Sequence, residues 1–319
     1  MKKAIKSLLI LVSTLGMVAC GETSNVSSTT PVSSQSSEQV KKLVFPTDVK
    51  IYKNLDDYKL SPIWIGEGRT ESITYSFNSE YIDIDEEGVV TPIKKGFSKV
   101  TATTPTQSYD FQIEIKDSNE FRFAADIPEM ENLYKEHDSP KETNLFMGDS
   151  FFDPRASRGF WTSFYDDFAG KNVFCEGIAA TQINDWMVMR DELIRAVAPK
   201  NVFIHLGTND INDAGNTGVI VGNEMKTFVE YLHSDLPDTH FYIFGIEEST
   251  NKDFAKNSKK REQANELYRS FADSVDYATY LDSPSRFNDK LDQVLKPDGL
   301  HPNAEGYKIY VDMTKDLVD

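Results

Sequence analysis

A chain of 319 residues is too long for one small domain and long enough to bury a sizeable core. Apolar residues at 39% and charged residues at 27% are the balance of a soluble globular protein. With 51 acidic residues against 34 basic ones the net charge is −17, which makes nucleic acid an unexpected partner and leaves membrane contact dependent on an anchor rather than a basic patch.

The chain opens with a basic segment, Met1-Lys2-Lys3-Ala4-Ile5-Lys6, followed by an apolar run from Leu8 to Val18 that is too short to span a bilayer comfortably. Ala19-Cys20-Gly21 then supplies small residues at a cleavage point. Met17-Val18-Ala19-Cys20 resembles a bacterial lipobox, with Met17 where Leu is usual. The resemblance implies a lipoprotein signal peptide over 1–19 and a diacylated Cys20 as lipidation site and new N-terminus. It also implies anchoring at the extracellular face of a bacterial membrane, for which two acyl chains suffice. An ordinary secretory signal with an incidental cysteine is the alternative. Loss of the leader's three lysines would take the net charge to −20. From Cys20 to residue 40 the composition is mostly Ser, Thr, Asn, Val, Pro and Gln, which reads as a flexible tether. The other cysteine, Cys175, lies in an apolar run and reads as a buried, inert thiol, so the fold is expected to rely on its cores rather than on a disulfide.

Residues 41–117 hold short runs that alternate apolar and polar side chains, among them Ile73–Phe77, Tyr81–Ile84, Gly88–Pro92, Val100–Thr103 and Tyr109–Ile115. Turn residues separate them at intervals typical of an antiparallel sandwich. The progression from an acidic turn through Gly88-Val89-Val90-Thr91-Pro92, Lys94-Lys95-Gly96 and Val100-Thr101-Ala102-Thr103 resembles the bacterial immunoglobulin-like domain, group 2. That resemblance implies a small all-β immunoglobulin-like sandwich. It serves either as a spacer, the favoured reading, or as a contact to cell-surface glycan.

Residues 118–142 read as a charged connector carrying Pro128 and Pro140. From 143 to 319 strands and helices alternate. Strands are expected at Asn144–Met147, Asn172–Glu176, Asn201–Leu206, His240–Ile246 and Tyr277–Leu281, with helices near Arg158–Phe168, Ile183–Val197, Val219–Leu232, Ser258–Ser274 and Asn303–Leu317. Five such units in succession predict an α/β fold, a parallel sheet covered by helices on both faces, with its site at the C-terminal strand ends.

Three motifs fall at those ends or in the loop before the final helix. Gly148-Asp149-Ser150 puts a serine on a tight turn, where it can act as a nucleophile near free backbone N–H groups. In Asp298-Gly299-Leu300-His301, Pro297 and Pro302 keep the loop from becoming helical. The spacing lets Asp298 orient one nitrogen of His301 while the other stays free as a base. In Gly207-Thr208-Asn209-Asp210 the Asn209 amide can donate to an oxyanion, and Gly177 offers a further N–H at the end of the second strand. His205, inside an apolar strand, reads as a packed core residue. No phosphate loop or metal-ligand spacing stands out, so neither cofactor nor metal is expected.

Together these blocks resemble the SGNH hydrolases, also called GDSL esterases and lipases, over roughly 143–319. The resemblance implies a flavodoxin-like three-layer sheet, with Ser150 as nucleophile, His301 as base and Asp298 as its partner. Ser150, Gly177 and Asn209 would form the oxyanion hole. Phe151 stands where the family expects Leu, and Ala180 where a glycine is common. The expected reaction is hydrolysis of short-chain esters through an acyl-enzyme, with O-acetylated carbohydrate at the cell surface as substrate. A lysophospholipase or short-chain lipase, or a non-catalytic glycan-binding adhesin, are the alternatives.

Overall fold

The computed structural model describes residues 39–46, 48–53, 58–135 and 143–318. The leader, Cys20 and nearly all of the tether lie outside the described residues. In chain order the all-β region comprises β1 (Lys42–Val44), β2 (Asp48–Lys53), β3 (Tyr58–Lys59), β4 (Ile63–Ile65), β5 (Thr74–Ser76), β6 (Ile82–Ile84), β7 (Val89–Pro92), β8 (Gly96–Thr103) and β9 (Ser108–Asp117). Strands β2, β9, β8 and β5 lie side by side, β3, β7 and β6 form a second sheet, and β1 pairs with β4. Alternation sets the faces: in β8, Ser98, Val100 and Ala102 are buried while Phe97, Lys99 and Thr103 face solvent. One pairing departs from the antiparallel expectation. Strand β2 runs parallel to β9, with Val49 beside Ile113 and Ile51 beside Ile115. All of β3 to β8 separates the two, ample chain for the crossover that a parallel pair requires.

The segment read as a connector contains helix α1 (Asp126–Lys135). Pro128 sits in its first turn, where a missing N–H costs no helical bond. Ile127, Met130 and Tyr134 recur at helical spacing, and Met130 is fully buried.

The remaining elements alternate. They are β10 (Asn144–Gly148), α2 (Phe164–Asp167), β11 (Val173–Cys175), α3 (Ile183–Arg190), β12 (Asn201–His205), α4 (Thr208–Asn212), α5 (Gly218–Asp235), β13 (His240–Phe244), α6 (Lys252–Ala255), α7 (Ser258–Ala272), β14 (Ala278–Leu281), α8 (Pro284–Phe287), α9 (Leu291–Val294) and α10 (Ala304–Thr314). The sheet order is β11-β10-β12-β13-β14, all parallel, the 2-1-3-4-5 order of flavodoxin-like sheets. The helix expected near Arg158–Phe168 shrinks to α2, because Gly159 at φ 70° turns the chain before it. Beyond α3 the chain widens into a π-helical turn at Asp191–Arg195. Arg190, the one polar residue on the apolar face of α3, is buried by placing its guanidinium over the Tyr231 ring at 4.4 Å.

Strand alternation divides the core. Leu145, Met147, Val202, Ile204 and Ile243 meet α3, α5 and α7 on one face. Phe146, Phe203 and Phe244 meet Trp161, Phe164 and α10 on the other. The first cluster continues without a break into Leu43, Ile51, Val100 and Ile113 of the all-β region. Gln39–Asp319 is accordingly one compact unit, with the β-rich part docked on the helices rather than hanging from them.

Candidate active site

The turn after β10 is shaped by close backbone approach. Any side chain at Gly148 would collide with the His205 carbonyl, which also accepts the Asp149 N–H at 3.2 Å. Asp149 then caps a single 3-10 turn over Ser150–Phe152, its carboxylate accepting the Phe151 N–H at 3.0 Å. Ser150 is thereby fixed at the first position of that turn, 8% exposed.

The loop before α10 brings its partners. Ser150 Oγ lies 2.8 Å from His301 Nε2, and His301 Nδ1 lies 2.8 Å from Asp298 Oδ2. Asp298 Oδ1 accepts the N–H groups of Leu300 at 2.9 Å and His301 at 3.0 Å. Burial pushes the Asp298 carboxyl up, but those two N–H groups and the imidazole outweigh it and hold the pKa below the usual range. Gly299, at φ 69°, packs where a side chain would strike Thr250, and its carbonyl accepts from Thr250 N and Ser249 Oγ. The Asp-x-x-His turn is thus pinned to the loop after β13. Phe160 lies against the other side of the imidazole, with ring centroids 4.5 Å apart.

Asn209 sits in α4, entered through Gly207 in the left-handed region. One hydrogen of its amide goes to the Thr181 carbonyl at 2.9 Å, which leaves the second N–H to donate. Thr181 Oγ1 in turn donates to the Gly148 carbonyl at 3.2 Å, so the turns carrying Ser150 and Asn209 are tied together. Gly177 is buried beneath the 3-10 turn, where a side chain would collide with the Phe152 carbonyl, and its N–H faces the Cys175 thiol. The residue of that loop open to solvent is Ala180. It has φ 68°, a conformation that is costly for a non-glycine residue and concentrated at functional sites. Cys175 is fully buried, its thiol donating to the Phe152 carbonyl, and burial pushes its pKa up.

A serine, a histidine and a carboxylate in hydrogen-bond series at the C-terminal ends of a 2-1-3-4-5 sheet can perform acyl transfer. The model of the GDSL-like lipase/acylhydrolase family matches residues 146–309, just over half of the chain. The chain belongs to this family. It is therefore a hydrolase, and the matched region contains Ser150, Gly177, Asn209, Asp298 and His301.

Two solved structures agree on the fold of this GDSL-like hydrolase. A Streptococcus pneumonia protein, provisionally described as a platelet activating factor, is 18% identical with a TM-score of 0.51, over 60% of this chain and 91% of its own. A GDSL-like lipase from Bacteroides thetaiotaomicron is 16% identical with a TM-score of 0.51, over 62% of this chain and 97% of its own. An acetylxylan esterase from Geobacillus stearothermophilus, as a catalytic mutant, is 17% identical with a TM-score of 0.45, over 56% of this chain and 95% of its own. Among curated proteins no relative matches.

Two polar networks of this hydrolase escape a reading of the sequence. Beneath Ser150, His205 Nε2 lies 2.8 Å from Glu247, and Nδ1 lies 3.5 Å from Asp149, an ion-pair distance rather than a hydrogen bond. Burial alone would lower the His205 pKa, but the Glu247 and Asp149 carboxylates outweigh it and carry the value up to about 10. The ring also stacks on Phe151, centroids 4.4 Å apart, so His205 touches the residues on both sides of Ser150. In the second network Arg155 is buried and bonded to Asp153, with Asp126 at 2.6 Å and Glu129 at 2.8 Å from α1. Asp153 also accepts the Ala179 N–H at 3.0 Å. Among the described residues no group of three or more His, Cys, Asp or Glu is placed to hold a metal ion, and no helix is long and apolar enough to cross a membrane.

Proposed function

We propose that the chain is a serine esterase that removes short acyl groups, acetyl above all, from O-acetylated carbohydrate. The observation that carries this reading is the pair of 2.8 Å contacts linking Ser150 Oγ, His301 and Asp298. In the first half-reaction His301 Nε2 takes the Ser150 proton as Oγ attacks the ester carbonyl. Asp298 stabilises the imidazolium that forms. The tetrahedral oxyanion is met by the Ser150 N–H, the free amide hydrogen of Asn209 and the backbone N–H of Ala180. Ala180 stands in the place that the sequence reading gave to Gly177, whose own N–H faces Cys175. Collapse expels the alcohol, which takes its proton from His301. Water then enters, gives a proton to His301 and releases the acid, restoring Ser150.

Two features favour a short acyl group on a polar alcohol. Phe151 and Phe160 crowd the ring of His301, with centroids 5.5 Å and 4.5 Å away, which narrows the acyl side. The cleft beside the all-β region is lined mainly by charged and polar side chains, among them Lys50, Lys116, Arg122 and Asp185, rather than by a lipid-binding apolar surface. Placement at the outer face of a bacterial membrane, held by lipidated Cys20, rests on the N-terminal sequence alone. The test is hydrolysis of p-nitrophenyl acetate by the full-length protein and by Ser150→Ala. Serine-dependent turnover is expected, with acetyl esters preferred over long-chain esters. Equal rates for the two proteins would leave a non-catalytic glycan binder as the reading, and a long-chain preference would leave a lipase.

A further inference from the structure

The all-β region and the hydrolase loops enclose a cleft of about 500 Å³, a volume typical of small-ligand sites. Lys50, Lys116 and Arg122 stand on the all-β side, and Asp185, Asp210 and Glu224 on the hydrolase side. The decisive feature lies at its hydrolase wall. Glu224 is 3% exposed, and neither of its carboxylate oxygens has a protein donor. Asp210 is 2% exposed and spends Oδ1 on the Ile183 N–H at 3.1 Å, while Oδ2 has no protein donor. Buried acceptors without donors are uncommon in folded proteins and ask for a ligand that donates. Burial pushes both carboxyls up, Asp210 to about 7, and the neighbouring Asp210 raises Glu224 further.

The charge pattern selects among ligands. Five carboxyl groups line the cleft, with Glu120 and Asp213 beside Asp185, Asp210 and Glu224, and burial pushes the last three toward the neutral form. Together with two lysines and an arginine they leave no strong charge of either sign to select an ion. A neutral molecule rich in hydroxyl groups suits both walls, donating to Asp210 and Glu224 and accepting from Lys50 and Lys116. The cleft shares elements with the site, while Ser150, Asn209, Asp298 and His301 themselves lie outside its lining. Arg122 Nη2 donates to the Ala180 carbonyl at 2.9 Å and pairs with Asp185 at 2.6 Å. Ala180 precedes Thr181, whose carbonyl holds Asn209, and Asn209 precedes Asp210. The same turn and the same short helix therefore border the cleft and serve Ser150.

We infer that this cleft is a carbohydrate subsite that holds the sugar portion of the ester substrate, with the all-β region supplying one of its walls. This rests on the esterase reading and deepens it: the all-β region is part of substrate recognition, not a spacer.

The test compares two substrates on the full-length protein. In the double variant Lys50→Ala/Lys116→Ala, KM for acetylated xylo-, manno- or chito-oligosaccharide is expected to rise about tenfold, the scale of losing a polar contact or two. Kinetics on p-nitrophenyl acetate, which has no sugar, are expected to stay within about twofold. Glu224→Gln, which keeps the shape of the side chain and replaces one acceptor with a donor, is expected to show the same split. Parallel changes on both substrates, or no change on either, overturn the subsite. If p-nitrophenyl acetate hydrolysis does not depend on Ser150, it is the esterase reading that has failed. Calorimetry with the unacetylated oligosaccharides then decides: binding weakened about tenfold in the double variant supports the subsite. Absence of binding at millimolar sugar, or heat from calcium ions alone, overturns it.

Discussion

His301 and His205 are built from the same parts and set in opposite surroundings. Each places a ring nitrogen 2.8 Å from a carboxylate oxygen, of Asp298 in one case and Glu247 in the other. Each ring also lies against Phe151, the residue after the nucleophile. The His301 side chain is 15% exposed and that of Asp298 46%, whereas those of His205 and Glu247 are 1% each. An open pair beside a serine can exchange its proton with a reacting group. A sealed pair between two carboxylates cannot, and its charge serves to hold the nucleophile turn from below. The same pairing therefore stands open beside a serine at one level of the sheet and is sealed into the architecture one layer down.

The sharpest way to break this comparison is to remove each imidazole in turn. His301→Ala is expected to lower kcat/KM on p-nitrophenyl acetate about 10⁴-fold or more, as loss of a catalytic base does, with the thermal midpoint unchanged. His205→Asn is expected to do the reverse. Removing one partner of a buried ion pair costs about 3–5 kcal/mol, read as a lower urea midpoint, while activity at low temperature falls by less than about tenfold. A His205 variant that folds like wild type and is as inactive as His301→Ala would place His205 in the chemistry and end the distinction.

Asn209 tests the next level. It is held by Thr181 rather than by a carboxylate, and Asn209→Ala removes a donor without unpairing a charge. The expected loss is about 10²–10³-fold in kcat with little change in KM, the usual cost of one oxyanion-hole donor. A variant in which KM rises and kcat holds would make Asn209 a substrate-binding residue instead.

What could be read in advance follows from where polar residues interrupt apolar ones. Ser150, Asn209 and His301 stand in or just after Gly- and Pro-marked turns, outside the apolar runs that fill the core, so a polar side chain there stands out. The five parallel strands were legible for a related reason, since Phe146, Phe203 and Phe244 lie in uniformly apolar runs that only a covered sheet can bury. His205 gives no such sign. Its neighbours Ile204 and Leu206 are apolar, and the carboxylates that keep it charged come from the turns after other strands, so in sequence it reads as a packed core residue. Strand β2 hides for the opposite reason: Val49 and Ile51 stand among lysines and aspartates in a charged stretch that looks like loop. Gly177 is a conformational necessity of packing under Phe152, which a sequence cannot distinguish from a glycine that opens a site. The docking of the all-β region onto α3 and α5 is likewise invisible, because the apolar faces that meet are each ordinary alone.

Proton titration gives the finest separation of the two histidines. The His205 pKa in the folded protein, about 10, lies above the ordinary value of 6.5, so protonated His205 stabilises the fold. That contribution is complete below pH 6.5 and is lost as pH rises toward 10, where the ring gives up its proton and leaves Asp149 and Glu247 facing each other across a neutral imidazole. Asp210 acts in a lower window. Its carboxyl is raised from 3.8 to about 7 by burial, so ionising it costs stability as pH climbs through that range. Wild type is therefore expected to lose stability between pH 7 and 10, measured as the urea midpoint. In His205→Asn the slope over that interval should flatten, because the group that titrates there is gone. Asp210→Asn should leave the alkaline slope intact and flatten the change between pH 4 and 7 instead. If the alkaline slope survives in His205→Asn, the buried imidazole is neutral in the fold, and the nucleophile turn is held by packing against Phe151 rather than by charge.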